Sequence, residues 1–238
     1  MADSSEFTNY NSIAEIYVTH TERPNSWNNL YERPYMLSKI RSLQNKEVLD
    51  IGCGSGFYTK HALEIGADVT AIDASKVMID RLSSLIKSPN VRLVCADITK
   101  PLSFLGSESF DCVICSLVLH YIEDWKPLLS ELYRVMRKNS ELIISTHHPF
   151  TDYLFLNKRS YFENKWVEDT WGSGEHSFKV HYYYTRSLTA VLRPIIESQF
   201  SIVSIEEPLA TERTKQASPE IYERISEKPG FLFIVLRR

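Results

Sequence analysis

The 238-residue sequence predicts an α/β protein built on a seven-stranded, mostly parallel sheet with helices on both faces. Two observations predict it. From residue 47 onward, short apolar runs rich in β-branched residues alternate with amphipathic helical stretches, as in strands joined by crossover helices. The first apolar run also ends in a glycine-rich turn, which is typical of Rossmann-like sheets.

The predicted elements follow one another in a regular order. Residues 8–41 are predicted to be helical. Strands are then predicted at 47–51, 69–72, 91–96, 110–116 and 141–146, with helices near 58–65, 76–87 and 125–137. A helix near 188–198 precedes two more strands, at 200–205 and 230–236. Because no strong helical pattern separates these two, we predict that the last strand is antiparallel.

Residues 150–184 interrupt this alternation. Eleven of these 35 residues are aromatic, against 12% of the whole chain, and they show no clear period. Such a segment is the best candidate for a separate cap beside the sheet. Its aromatic side chains could enclose a planar or cationic ligand, or they could pack a small core of the cap itself.

Composition and charge exclude several classes of function. A net charge of −3 argues against general binding to DNA or to an anionic membrane surface, both of which need a basic face. No apolar run approaches the ~18 residues of a membrane span. The acidic first residues lack the features of a signal peptide, so we expect a cytoplasmic protein.

Four cysteines lie in or beside the predicted strands and are expected to be reduced, buried thiols. Cys112 and Cys115 have the CxxC spacing of zinc and redox sites. In a strand, however, residues three apart point to opposite faces. No second CxxC or paired histidine completes a metal site, so no metal is predicted.

The glycine-rich turn carries the strongest indication of function. Glycine is scarce, with eight in the chain, yet Gly52, Gly54 and Gly56 fall within five residues. Glycines allow a ligand to approach the backbone closely where a strand leads into a helix. Asp73 ends the next predicted strand, where a carboxylate can accept hydrogen bonds from ribose hydroxyls.

Two residues distinguish between nucleotide cofactors. Phe57 stands where the dinucleotide fingerprint requires its third glycine. Asp50 precedes the first glycine, where it would repel a pyrophosphate but could hold an ammonium group, directly or through water. S-adenosylmethionine has an ammonium, a ribose and an adenine but no phosphate, so these acids favour it.

Over residues 46–147 the sequence resembles the class I S-adenosylmethionine-dependent methyltransferases, of the bacterial small-molecule branch (types 11 and 25). Residues 48–56, 73–74, 95–98 and 110–121 match four family motifs in order, and 10–17 and 28–34 are similar to two N-terminal helices of that branch. The family's Pro-Gly-Gly turn is replaced by residues 137–140, where Asn139 can adopt a positive φ.

The resemblance implies a set of cofactor-binding residues. The glycine backbone would lie beside the methionine moiety, Asp73 would bind the ribose, Asp97 would bond the adenine amino group, and Ser116 and Leu117 would lie near the sulfonium. The full expected set is Tyr17, Tyr31, Asp50, Gly52, Gly54, Asp73, Ala74, Met78, Asp97, Ile98, Ser116 and Leu117. Transfer would leave S-adenosylhomocysteine as the product.

It also implies one methyltransferase domain, 1–238. Within it, 1–45 would form a helical lid, 46–149 the cofactor-binding core, 150–184 an acceptor-facing aromatic cap, and 185–238 the C-terminal helix and strands. His120 and His148 follow strands at the edge where ligands bind, so they are candidate general bases, with hydrogen-bonded structural roles as the alternative. Candidate acceptor-binding residues are His147, Tyr153, Trp166, Trp171 and Tyr183.

The expected acceptor is an O or N atom of a small molecule, because the Asn/Asp-Pro-Pro-Tyr/Phe motif of base and glutamine methyltransferases is missing. Three alternatives stay open at this point. The chain could methylate a peptide terminus or tRNA, or bind S-adenosylmethionine without turnover. A nicotinamide cofactor on a related fold is more distant.

Overall fold

A computed structural model describes residues 10–40, 42–156, 160–171 and 177–238, with residues 181–184 described by their backbone. Seven strands form the central sheet in the order β3-β2-β1-β4-β5-β9-β8. Their bounds are β1 Glu47–Ile51, β2 Asp68–Asp73, β3 Val91–Cys95, β4 Phe110–Ser116, β5 Met136–His147, β8 Ser201–Glu206 and β9 Phe231–Arg237. The remaining two strands, β6 Lys165–Trp171 and β7 Phe178–Thr185, pair with each other in an antiparallel hairpin.

The sheet is parallel from β3 through β5, and β9 is antiparallel to both of its neighbours. This confirms the predicted α/β class and the antiparallel last strand. The order reverses between β1 and β4, so a crevice opens beyond the carboxyl ends of these two strands. Ligands bind at this topological switch point in doubly wound sheets.

Helices cover both faces of the sheet. They are α1 Tyr10–Glu22, α2 Arg33–Lys39, α3 Phe57–Glu64, α4 Lys76–Leu85, α5 Lys126–Val135, α6 Pro149–Phe155, α7 Leu188–Ile196, α8 Glu212–Ala217 and α9 Pro219–Glu227, with a π-helical turn at Asn28–Glu32 and a 3₁₀ turn at Leu119–Tyr121. Alternate residues of β4 enter two separate apolar cores: Val113 and Cys115 pack on the α5 and α7 side, and Cys112 and Ile114 on the α3 and α4 side.

That alternation accounts for the CxxC pair. Cys112 and Cys115 are buried free thiols in different cores, on opposite faces of β4. Burial raises the pKa of the Cys112 thiol to about 12. Cys95 is also a free thiol, but it is exposed, contrary to the expectation that all four are buried. It lies at the carboxyl end of β3, near the edge of the sheet.

Two regions differ from the sequence prediction. Residues 150–184, which showed no period, contain most of α6 and the β6–β7 hairpin. The connection between β8 and β9, predicted without a strong helix, holds α8 and α9 of six and nine residues. Thr211 and Ser218 cap these helices with their side-chain oxygens, and such short elements depend on caps more than on periodicity.

The π-helical turn has an identifiable cause. Pro34 has no N–H to give to the carbonyl of Leu30, one turn earlier, so a regular α-helix cannot run through this point. The N–H of Arg33 donates instead to Asn28 O, and Leu30 O accepts a hydrogen bond of 2.9 Å from the buried hydroxyl of Thr214. The helix therefore has a wider, π-helical turn at the point where Glu32 and Arg33 are buried.

Candidate active site

A cavity of about 510 Å³ opens at the carboxyl ends of β1, β2 and β4, beneath helix α1. It is lined by Tyr10, Tyr17, Gly52, Gly54, Asp73, Ala74, Met78, Asp97, Ile98, Thr99, Ser116, Leu117, Val118, Tyr121 and Ile122. Ten of the twelve residues that the sequence indicated for cofactor binding are in this list. Tyr31 and Asp50 are the two that are not.

The glycine turn forms the floor of the cavity. Gly52 has φ +67°, and a Cβ there would lie 2.2 Å from a methyl group of Val118, so no other residue fits. Gly54 has φ +50°, and a Cβ there would meet nothing within 4 Å. The open space over Gly54 is therefore available to a ligand that approaches the backbone.

Asp73 ties the turn to the next helix. Its Oδ2 accepts from the N–H of Gly54 at 2.9 Å, and its Oδ1 accepts from the N–H of Ser75 at 2.8 Å. Burial raises the pKa of Asp73, while these two amides oppose the shift. Each carboxylate oxygen has a second lone-pair site, so a ribose diol can still bond to this side chain.

The far end of the cavity suits an adenine ring. Both bonds that Asp97 receives from Thr99, from its N–H at 2.8 Å and its hydroxyl at 2.7 Å, use Oδ1. Its Oδ2 can therefore accept from an exocyclic amino group, with Ile98 beside it. Among the described lining residues there are two carboxylates and no Lys, Arg or His, so this wall would repel a pyrophosphate.

Asp50 lies beneath the turn rather than in the cavity wall. It is buried, and Oδ2 accepts a hydrogen bond of 2.6 Å from the hydroxyl of Thr59 in α3. Desolvation raises the pKa of Asp50 to about 7, against the opposing effect of that bond. Its contact in this structure is thus with α3, and it holds the start of that helix against β1.

A side cavity of about 50 Å³ adjoins the main one and shares Tyr17, Gly52, Gly54, Ser116 and Leu117 with it. Glu32 and Arg33 line its other side. Neither residue is among those that the sequence indicates for cofactor binding, although both stand in the 28–34 segment. The available signal is Pro34, which marks a break in the helix there. Tyr31 is the residue of this segment that the sequence indicates for cofactor binding. It donates its hydroxyl to Pro208 O at 2.7 Å and stacks on Phe231.

Comparison with known proteins agrees with this geometry. A family model described as a methyltransferase domain matches residues 49–144. An S-adenosylmethionine-dependent methyltransferase from Mesorhizobium loti superposes with a TM-score of 0.70 at 25% identity, covering 87% of this chain and 97% of that one. The chain is a class I S-adenosylmethionine-dependent methyltransferase. Its cofactor is S-adenosylmethionine.

Two curated relatives add detail. A Haemophilus influenzae protein of uncharacterised function is 28% identical over 94% of this chain and 93% of its own length. The mitochondrial ubiquinone biosynthesis O-methyltransferase of Schizosaccharomyces pombe is 36% identical over 42% of this chain and 38% of its own length. The likeness to this biosynthetic enzyme is thus confined to less than half of either chain.

Three tyrosines close the methyltransferase cavity opposite the glycine turn. Tyr10 and Tyr17 come from α1 and pack edge to face at 4.9 Å between ring centroids, and the hydroxyls of Tyr10 and Tyr121 are hydrogen bonded. Desolvation raises the pKa of all three, that of Tyr17 to about 12. These hydroxyls therefore stay protonated at neutral pH.

The candidate base His120 does not line the main cavity. It is 2% exposed, and its ring stacks on that of His147 at 4.0 Å between centroids. Burial, together with the neighbouring charges of His147 and Arg186, lowers the pKa of His120 well below its usual value. His147, a candidate acceptor residue, lies 3.5 Å from Asp152 and packs against Trp171 and Phe231.

His148, the second candidate base, is held by two other contacts. Its Nδ1 accepts the N–H of Phe150 and so caps α6, and its Nε2 lies 2.5 Å from a carboxylate oxygen of Glu207. Burial lowers the pKa of His148, and Glu207 opposes the shift. It too lies outside the residues that line the main cavity.

The β6–β7 hairpin packs against helix α1. Trp171 contacts Tyr17, and Phe178 and Val180 of β7 form an apolar cluster with Ile13 and Ile16 of α1. Tyr153 packs against Tyr161 within the cap. Trp166 is half-buried in β6, and its backbone pairs with Tyr184. The side chain of Tyr183 is outside the described part of the structure.

Among the described residues, no group of three or more His, Cys, Asp or Glu side chains could hold a metal ion. Within the same part of the chain, no helix is long and apolar enough to cross a membrane.

Proposed function

We propose that this methyltransferase transfers the methyl group of S-adenosylmethionine to an O or N atom of a small molecule. The observation that carries the proposal is the enclosure of the main cavity by Tyr10, Tyr17 and Tyr121, with Val118 and Ile122 beside them. This wall is aromatic and apolar, and none of the described residues that line the cavity is Lys, Arg or His. The name of the S. pombe relative, a ubiquinone biosynthesis O-methyltransferase, supports a small acceptor.

On the cofactor side, each residue has a definite task. The open space over Gly54 receives the methionine end, Asp73 bonds the ribose hydroxyls, and Asp97 with Ile98 holds the adenine ring. Ser116 and Leu117 stand at the sulfonium end, between the main and side cavities. Two further members of the proposed set, Ala74 and Met78, contribute contact area along the nucleoside.

The proposed mechanism depends on alignment. Bound S-adenosylmethionine supplies a methyl group already activated by a sulfonium. The tyrosine wall excludes water and holds the acceptor in line with that methyl group; such positioning can supply ~7–11 kcal/mol of the barrier. Among the described lining residues no histidine is available to remove a proton, so an acceptor that arrives deprotonated, or an amine that loses its proton on desolvation, suits this cavity best.

Catalysis by His120 or His148 stays a separate prediction. If either acts as a base, replacing it should lower kcat with the true acceptor by about 100- to 10,000-fold. Their buried positions favour structural roles, for which His120→Ala and His148→Ala would lower stability and leave kcat unchanged in the remaining folded enzyme.

The acceptor can be found by incubating the enzyme with methyl-labelled S-adenosylmethionine and separate fractions of metabolites, tRNA and peptides. Label should enter metabolites, and mass spectrometry then identifies the O or N atom. Incubations without the enzyme serve as the blank. Label in the tRNA or peptide fraction would contradict the proposal. Tight cofactor binding without transfer in any fraction would favour a non-catalytic role.

The proposed partners and location follow the same argument. The acidic net charge and the two carboxylates of the cavity wall disfavour DNA as a substrate. A small-molecule acceptor also fits the cytoplasmic location predicted from the sequence. Imaging the tagged full chain in its own host checks that location.

A further inference from the structure

Glu32 is a buried carboxylate in the side cavity that adjoins the main one. It lies at the end of the π-helical turn, is 1% exposed, and lines the side cavity next to Gly52 and Ser116. Its Oε1 accepts from the hydroxyls of Ser116 at 2.7 Å and Ser145 at 2.6 Å. Its Oε2 accepts from the hydroxyl of Tyr58 at 2.6 Å. Three elements of the core thus converge on one side chain.

This arrangement leaves one position open. A carboxylate has about four lone-pair sites, and three are used by these hydroxyls, so a fourth remains on Oε2. The donors are all neutral, and among the described residues Glu32 has no ion-pair partner. Burial raises the pKa of Glu32, and the three hydroxyls and the nearby charge of Arg33 oppose the shift.

Arg33, the next residue in the chain, adds a positive charge to the same side cavity. Arg33 also lines the side cavity, where its guanidinium donates to Asn29 Oδ1 at 2.6 Å and lies 4.0 Å from the centre of the Phe57 ring. The side cavity therefore presents one carboxylate and one guanidinium side by side. A zwitterionic amino acid carries the complementary pair of charges.

We propose that Glu32 binds the α-ammonium group of the cofactor's methionine moiety and that Arg33 binds its α-carboxylate. Glu32 ends the π-helical turn and Arg33 follows it directly, and the bond from Thr214 to Leu30 O supports this turn. Glu32 thereby also links cofactor binding to Ser116, which stands at the sulfonium end. The proposal concerns the cofactor side of the proposed function and is independent of the acceptor.

Three nucleosides allow the contributions of the ammonium and the carboxylate to affinity to be measured separately. S-adenosylhomocysteine carries both groups of the amino acid, its decarboxylated form carries the amine alone, and 5′-methylthioadenosine carries neither. The measurement is the dissociation constant by calorimetry. Glu32→Gln keeps an oxygen for the two serines and an N–H that can donate to the Tyr58 oxygen, so it removes the charge and keeps the network filled.

We expect the two variants to weaken the binding of different sets of ligands. Glu32→Gln should weaken S-adenosylhomocysteine and its decarboxylated form by about 10- to 100-fold, the range of a charge-assisted hydrogen bond, and leave 5′-methylthioadenosine within about two-fold. Arg33→Met should weaken S-adenosylhomocysteine alone. Ser145→Ala, which removes a hydroxyl and keeps the Glu32 charge, is the control and should preserve the ratio of affinities for the amine-bearing and tail-free ligands.

The outcomes distinguish this proposal from the proposed function. Equal loss of all three ligands in Glu32→Gln would mean that Glu32 only supports the fold, and no loss of any would also overturn the inference, while the cofactor assignment stands. Failure of the wild-type protein to bind any of the three would overturn the cofactor site itself. If Glu32→Gln does not fold, the wild type decides: it must bind the decarboxylated ligand more tightly than 5′-methylthioadenosine.

Discussion

At the scale of single residues, Asp73 has the most constrained position in the cofactor site. One carboxylate holds the Gly54 amide and the first turn of α4, and the same carboxylate faces the main cavity. Asp73→Ala should therefore weaken S-adenosylhomocysteine by about 10- to 100-fold, as expected for hydrogen bonds to a charged group. Calorimetry measures this loss. Asp80→Asn, on the exposed side of α4, is the control and should bind normally.

The raised pKa of Asp50 predicts how the stability of the protein changes with pH. Its folded-state pKa is raised to about 7, so the folded protein keeps a proton that the unfolded chain releases from about pH 4 upward. Ionisation then favours the unfolded state, and this loss of stability accumulates between about pH 4 and pH 7 at no more than ~1.4 kcal/mol per pH unit. Asn cannot ionise and keeps an oxygen for the Thr59 hydroxyl.

The free energy of unfolding of Asp50→Asn should therefore gain on that of the wild type as the pH rises through this range, and the difference should level off above it. Denaturant titrations at a series of pH values measure both curves. A difference between the two proteins that does not change with pH would show that folding does not raise the pKa of Asp50.

At the scale of elements, the sequence could place the core strands because each has a strong local signal. Strands β1 through β5 are short apolar runs bounded by turns, and the turn after β1 carries the glycines. Glu32 and Arg33 have no such signal. Their place depends on contacts between residues distant in the chain, such as that of Thr214 with Leu30. Likewise, no local pattern shows that His120 and His148 turn away from the cavity.

The Thr214 hydroxyl supports the π-helical turn by donating to Leu30 O, a carbonyl to which Pro34 cannot donate. Thr214→Val keeps the shape and removes the donor, so Leu30 O would lose this buried hydrogen bond. We expect a loss of about 1–3 kcal/mol in the free energy of unfolding, measured by denaturant titration. Thr189→Val, on the exposed start of α7, should change stability by less than about 0.5 kcal/mol. Equal effects would mean that the turn does not need this bond.

At the scale of the whole molecule, the lid, the sheet and the cap meet around one ligand. Helix α1 covers the cavity and is fixed to α4 by Asn11, which accepts from the Ser75 hydroxyl at 2.9 Å. The β6–β7 hairpin then packs on the outer side of α1. A ligand beneath α1 thus contacts the sheet directly and the cap through the lid. Binding should therefore stabilise the fold as a unit.

Thermal unfolding tests this coupling. S-adenosylhomocysteine at 100 times its dissociation constant should add about 2.7 kcal/mol to the stability of the folded state. For a chain of this size that corresponds to an increase in Tm of roughly 5–10 °C. NAD(H) should give no increase, because Phe57 replaces the third glycine and the acids of the cavity wall repel a pyrophosphate. Stabilisation by NAD(H) alone would contradict the cofactor assignment. Asp73→Ala, whose affinity is expected to be about 10- to 100-fold lower, should lose about half of the increase or more at the same ligand concentration.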